Sequence, residues 1–178
     1  MRIISGKNKG RHIVPPKDFS ARPTTDIAKE SLFNILTNNY DLEEISALDL
    51  FSGTGGISYE FISRGAKNVT SVEVKDKHAH FIRETAHKLS MNIKVVQQNA
   101  FLFIKKTKQK FDIIFCDPPY QLDGILLIPD LVFEHNLLLP GGCLIVEHSS
   151  KQDFSTFNYF TECREYGKVH FSFFIFPK

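Results

Sequence analysis

The chain has 178 residues, 42% of them hydrophobic and 24% charged, with a formal net charge of +2. That is length enough for one domain with a real core, and too apolar a composition for a disordered chain. No stretch reaches the roughly 18 uncharged apolar residues of a membrane helix, and the start lacks an apolar run of signal-peptide length, so a cytoplasmic protein is expected.

The charge is unevenly spread. Residues 1–25 carry Arg2, Lys7, Lys9, Arg11, Lys17 and Arg22 against Asp18 alone, while the rest of the chain holds 16 basic and 19 acidic side chains. A basic arm on a mildly acidic body points to a polyanionic partner. Cys116, Cys143 and Cys163 are odd in number and widely spaced. They form neither a disulfide framework nor a CxxC metal site, and buried reduced thiols are expected.

"RIISGKNKGRHIV" places two short β-branched pieces around a Gly/Lys/Asn-rich turn, which predicts a hairpin. "PPKDFSARP" reads as extended. A helix follows in "TTDIAKESLFNILTNN", capped by Thr24 or Thr25, with Asp26 at its positive end and Ile27, Phe33, Ile35 and Leu36 as apolar positions. From residue 46 strands and helices alternate. Strands are predicted at 47–51, 68–74, 93–100 and 111–117, and helices lie in "ISYEFISRG", "DKHAHFIRETAHKLS" and "FLFIKKT". Pro129 should start or kink a helix in "ILLIPDLVFEHNLL". A fifth strand lies in "GGCLIVEHS", and one or two more in "YGKVHFSFFIF". Near-continuously apolar strands alternating with helices predict a parallel α/β sheet covered on both faces. Such sheets bind ligands at the carboxyl ends of their strands.

"DLFSGTGG" follows the first strand. Gly53, Gly55 and Gly56 allow a tight turn and close backbone approach, with a helix N-terminus aimed at a ligand. Glu73, twenty residues after the first glycine, ends the second strand, where an acid can accept both ribose hydroxyl protons of a nucleoside. A dinucleotide and S-adenosylmethionine both present that ribose. Ser58 stands where the third glycine of the pyrophosphate fingerprint would fall, and Asp49 would repel a pyrophosphate but attract a methionine ammonium. S-adenosylmethionine is therefore favoured. Asn99-Ala100 closes the third strand, where a side-chain amide could meet an adenine edge.

"DPPY" at 117–120 follows the fourth strand. Pro118 and Pro119 fix φ and remove two donors, leaving carbonyl acceptors beside the Asp117 carboxylate. That corner suits an –NH2 group, and Tyr120 offers a face for a planar base. An exocyclic base amine is a poor nucleophile, and acceptors aimed at its hydrogens stabilise the charge that develops on attack. Cys116 should point away from Asp117 into the core, and the seven histidines form no metal-ligand pattern, so no metal is expected. His148 beside Glu147 is a candidate second layer to the site; the lysines of 105–110 read as a solvated turn rather than an RNA surface.

These motifs together resemble one branch of the S-adenosylmethionine-dependent methyltransferases with a D/N-P-P-Y/F motif, the small-subunit ribosomal RNA guanine-N2 methyltransferases (RsmD-like). The resemblance also covers "RIISGKNKGR", "ARPTTDIAKESLFNIL", "SRGAKNVTSVE" and "LLLPGGCLIVE", nearly the whole chain. It departs at Gly56 and Ser58, which replace a more usual Ala and Gly. The resemblance implies a Rossmann-like class I fold, with a basic extension over residues 1–22 and a methyltransferase domain over 23–178. Asp49, Gly53, Thr54, Gly55, Gly56, Glu73, Asn99 and Ala100 would hold S-adenosylmethionine, and Asp117, Pro118, Pro119 and Tyr120 the target guanine. Arg2, Lys7, Lys9, Arg11, Arg22, Thr24 and Thr25 would meet 16S rRNA, in a small-subunit assembly particle, with the protein acting as a monomer. Two alternatives stand beside it: an adenine-N6 methyltransferase on DNA or RNA, and a non-catalytic assembly factor.

Overall fold

The computed structural model describes residues 1–17, 19 and 24–178. Seven strands form one sheet: β1 (Ser46–Leu50), β2 (Asn68–Glu73), β3 (Ile93–Gln97), β4 (Phe111–Cys116), β5 (Leu138–His148), β6 (Phe160–Tyr166) and β7 (Val169–Ile175). Their order is β3-β2-β1-β4-β5-β7-β6, with β7 antiparallel to both β5 and β6 and the other neighbours parallel. The order reverses between β1 and β4, the switch point beside whose carboxyl ends such sheets bind their ligands.

Alternation along each strand sends side chains to two cores. Leu48, Leu50, Ile114, Cys116, Leu144 and Val146 meet α4 (Ala100–Lys106) and α5 (Ile128–Glu134). Ala47, Ile113, Phe115, Cys143 and Ile145 meet α1 (Asp26–Asn39) and α2 (Gly56–Ser63). α3 (Asp76–Lys88) lies beside α2, sharing a cluster with Tyr59 through Ile82 and Ala86. The seven-residue α4 and α5 are too short to persist alone, so this packing is what makes them helices. Pro129 sits in the first turn of α5, where its missing N–H costs nothing.

Several expectations change. Ile27 is 73% exposed, because α1 buries Ala28, Lys29, Leu32, Phe33 and Leu36 instead. Cys163 is exposed, on a strand at the sheet's edge, while Cys116 and Cys143 are buried. β5 begins at Leu138, before the glycine pair, and β6 begins at Phe160 in a stretch without a clear apolar period.

The basic arm turns back on itself at a single bridge, Arg2 to His12, extended by bonds from Ile3 N to Arg11 O and Ile13 N to Met1 O. It does not stand apart from the domain: Ile3 and Ile13 are buried against Tyr59, Ile82 and Ala86. Glu60, fully buried on α2, receives the amides of Ile4 and Ser5 at 2.8 and 3.0 Å, Arg64 Nε at 2.8 Å, and faces Lys29 Nζ at 3.9 Å. Lys29 in turn donates to Arg2 O at 2.6 Å. Gly6 has φ +80°, and a Cβ there would lie 1.8 Å from the Ser63 carbonyl oxygen, so only glycine permits this approach.

Candidate functional site

The loop after β1 is fixed from two sides. Gly55 caps α2 with φ +82° and no side chain, and a Cβ there would meet the Tyr59 ring at 2.8 Å. The capping acceptor comes instead from β1: Asp49 Oδ2 accepts from Ser58 N at 3.0 Å and Ser58 Oγ at 2.6 Å. The serine that replaces a third glycine therefore has a partner, and Asp49 is committed to the α2 N-terminus. Burial raises Asp49 to about 7 in spite of both bonds. Thr54 is also buried, with its hydroxyl 3.5 Å from Met1 Sδ.

At the end of β2, Glu73 Oε2 accepts from Gly53 N and Oε1 from Lys75 N, both at 2.8 Å. Each oxygen retains a further lone pair, the acceptor set a ribose diol requires. Asn99 is exposed and caps α4 by accepting from Leu102 N at 3.2 Å. With its oxygen turned to the helix cap, its NH2 is a donor that could meet an adenine edge. Ala100 is buried beneath it.

The D-P-P-Y corner follows β4, the neighbour of β1, and Asp117 N donates to Leu50 O at 3.3 Å. Pro118 is buried and Pro119 exposed; Pro119 O closes a turn by accepting from Leu122 N at 2.7 Å. The Pro118 carbonyl, next to Asp117, is a further acceptor at this corner. Tyr120 is 41% exposed. Burial, then Glu147, then Asp49 hold the Asp117 carboxyl well above the usual carboxylate range.

Glu147 is the residue that sequence reading passed over. Cys116 pairs in register with Val146, so Asp117 and Glu147 are the next residues on two neighbouring strands. Glu147 is 4% exposed and receives the Thr24 hydroxyl at 2.9 Å. Burial raises it to about 7, with the Thr24 bond and the nearby Tyr120 hydroxyl opposing. An acid in an otherwise apolar strand, level with D-P-P-Y, was the available signal. His148 is not part of this layer. It lies across the sheet, with its ring 4.9 Å from Phe154 and bonded to Ser172 Oγ and Ser149 O, each at 2.8 Å.

Of the residues expected to meet RNA, Lys7, Lys9 and Arg11 are exposed, while Arg2 pairs with Asp26 at 3.3 Å. Thr25 caps α1 through Ala28 N, so of the two threonines it is Thr24 that reaches the site. Arg22 lies outside the described residues. Among the described residues, no cluster of three His, Cys, Asp or Glu side chains suits a metal, and no helix is long and apolar enough to cross a membrane.

This geometry has close counterparts. The solved structure of Escherichia coli yhhF superposes with a TM-score of 0.87 at 26% identity, covering 99% of this chain and 98% of that one. The ribosomal RNA small subunit methyltransferase D of Escherichia coli K12 is 34% identical over 154 residues, 86% of this chain and 76% of that protein. Its namesake from Buchnera aphidicola of Baizongia pistaciae is 32% identical over 151 residues, 84% of this chain and 76% of that protein. The profile described as Conserved hypothetical protein 95 matches residues 1–175. The chain therefore belongs to the Conserved hypothetical protein 95 family, the family of the ribosomal RNA small subunit methyltransferase D proteins.

Proposed function

We propose that this protein transfers a methyl group from S-adenosylmethionine to the exocyclic N2 amine of a guanine in small-subunit ribosomal RNA. The observation that carries the reading is the placement of Asp49, Asp117 and Glu147 at the ends of the adjacent strands β1, β4 and β5, beside the D-P-P-Y corner. Two buried acids, Asp49 and Glu147, and the half-buried Asp117, all with raised pKa values, favour a cationic ligand and an amine, and disfavour a pyrophosphate.

The donor set fits the cofactor. Glu73 would accept the ribose hydroxyls, the Asn99 NH2 would meet the adenine edge over Ala100, and the loop from Gly53 to Gly56 would pass beside the methionine part, with Asp49 supplying negative potential behind it. When bound, S-adenosylmethionine supplies a methyl group already activated by its sulfonium. The chain's own residues then prepare the nucleophile. Tyr120 stacks on the base, which must leave any paired stem to reach it. Asp117 and the Pro118 carbonyl accept the two amine hydrogens, favour a pyramidal nitrogen, and stabilise its developing positive charge. Asp117 or water takes the proton that the nitrogen sheds.

Lys7, Lys9 and Arg11 would contact phosphates. The family relationship supports ribosomal RNA as substrate. We place the reaction in an assembly particle, with the protein acting as a monomer in the cytoplasm. Incubation with labelled cofactor and either naked 16S rRNA or assembling small subunits, followed by mapping of the labelled nucleotide, tests the reading. Label on an adenine N6, or none on either RNA, would overturn it.

A further inference from the structure

The basic arm touches the expected cofactor residues at both of its ends. At the first, Thr54 Oγ1 donates to Met1 Sδ at 3.5 Å, and a Cβ on Gly56 would lie 3.2 Å from the same sulfur. The glycine that stands in place of a more usual alanine thus leaves room for the Met1 side chain beside the loop. At the other end, the Phe19 amide closes a turn by donating to Pro16 O at 3.1 Å. Its ring stacks on His78, with centroids 4.3 Å apart and planes 26° from parallel, and meets the edge of Phe81 at 5.5 Å. His78 is 5% exposed in the first turn of α3, and its Nδ1 lies 4.0 Å from Glu73 Oε1. One end of the arm therefore meets the glycine loop, and the other is one ring away from the Glu73 carboxylate.

Between these ends the arm is fixed independently. Glu60 takes the amides of Ile4 and Ser5, and Ser63 those of Lys7 and Asn8, so the backbone is bonded along α2. An arm that only presented charge to phosphates would be served by those anchors alone, with nothing at Thr54 or His78. We infer that the arm is an element of the cofactor site as well as of the RNA surface: Met1 positions Thr54 in the glycine loop, and Phe19, through His78, positions Glu73. The inference rests on the proposed placement of the ribose at Glu73 and the methionine part at the loop, and deepens it by naming what holds those groups in place. Restricting Thr54 and Glu73 before the cofactor arrives lowers the ordering cost of binding. The two ends act on different parts of the ligand, Phe19 on the ribose and Met1 on the methionine part.

Calorimetry on the full chain tests this with two ligands, S-adenosylmethionine and methylthioadenosine, which lacks the amino-acid portion. Phe19→Ala should lower the affinity for both about fivefold or more, while Phe19→Tyr, which keeps the ring, should hold both within about twofold. Met1→Ala, released from a cleavable leader, should lower S-adenosylmethionine affinity by about the same factor and leave methylthioadenosine within about twofold. Unchanged S-adenosylmethionine affinity in either alanine variant, or equal losses of both ligands in Met1→Ala, overturns the inference. A second readout does not depend on the folding of Phe19→Ala. The chain contains no tryptophan, so Phe19→Trp supplies a single fluorophore at the His78 contact. Its emission should change on titration with S-adenosylmethionine, with the midpoint that calorimetry gives for the same variant. Emission that ignores saturating cofactor rejects the inference. Failure of the wild type to bind S-adenosylmethionine is failure of the proposed function, whereas wild-type binding with unaffected variants is failure of this inference alone.

Discussion

Gly53 donates its amide to Glu73 Oε2 at 2.8 Å, so the turn after β1 is tied to the end of β2 before any ligand arrives. The same carboxylate takes Lys75 N on its other oxygen. Glutamine at position 73 would keep one acceptor and turn an NH2 on the other amide, leaving a partly buried donor unsatisfied. The penalty is about 1–3 kcal/mol, roughly a five- to 150-fold loss of S-adenosylmethionine affinity. Calorimetry on Glu73→Gln checks this, and RNA affinity measured without cofactor should be unchanged.

Asp117 should matter for the chemical step and little for the cofactor. Asp117→Asn keeps a carbonyl acceptor but loses the charge that opposes the developing cation, and removal of an electrostatic stabiliser of this kind costs on the order of a hundredfold in kcat. Single-turnover methyl transfer with saturating S-adenosylmethionine measures it. Near wild-type transfer by Asp117→Ala would show that the acceptor role is misassigned.

Proton linkage gives the acids a stability signature. Asp49 and Glu147 stand at about 7 in the fold, against 3.8 and 4.5 for the free side chains, so between about pH 4 and 7 the native state binds more protons than the unfolded chain. Stability from these two groups is therefore greatest at low pH, falls as pH rises through that window, and is level above it. The cost is on the order of a few kcal/mol for each group. Thermal unfolding from pH 5 to 8 should show the decline, and Glu147→Gln should flatten part of it. Cofactor affinity should run the other way, rising toward pH 8 as the acids ionise and attract a cation.

The α/β alternation, the switch-point loop and the D-P-P-Y corner are legible in the chain because each is local. A glycine run, a single acid after a strand, and a proline pair carry their meaning within a few residues. Glu147 and Glu60 are not legible in that way. Their partners lie 123 residues away at Thr24 and 56 away at Ile4, and only the sheet order brings them together. Lys29 misleads for the same reason: a lysine reads as exposed until a buried Glu60 is known to face it. Ile27 misleads in reverse, since α1 turns its Lys29 side inward to meet that acid.

Glu60 should accordingly be a stability residue with an effect on the arm. Glu60→Ala strips two backbone amides of their acceptor and leaves Lys29 buried without its acid; burial already depresses the Lys29 pKa. Removing one partner of such a pair costs about 3–5 kcal/mol. Chemical denaturation should show a shift of that size with a nearly constant m-value. Glu60→Gln, which can still accept one amide, should recover part of it.

The exposed basic side chains of the arm should act as a separable unit. Lys7 N donates to Ser63 O at 2.7 Å and Asn8 N to Ser63 Oγ at 2.9 Å, so the turn is held by its backbone while the Lys7, Lys9 and Arg11 side chains stay exposed. Replacing all three by glutamine therefore leaves the anchoring bonds in place and removes only charge. For each phosphate left without its cation, the slope of log K against log salt should shrink by about 0.7 to 0.9. RNA affinity should fall most at low salt, and the wild-type and variant curves should converge as salt rises. Unfolding midpoint and S-adenosylmethionine affinity should both hold. A variant with an unaltered slope would assign the arm's charge to something other than phosphate.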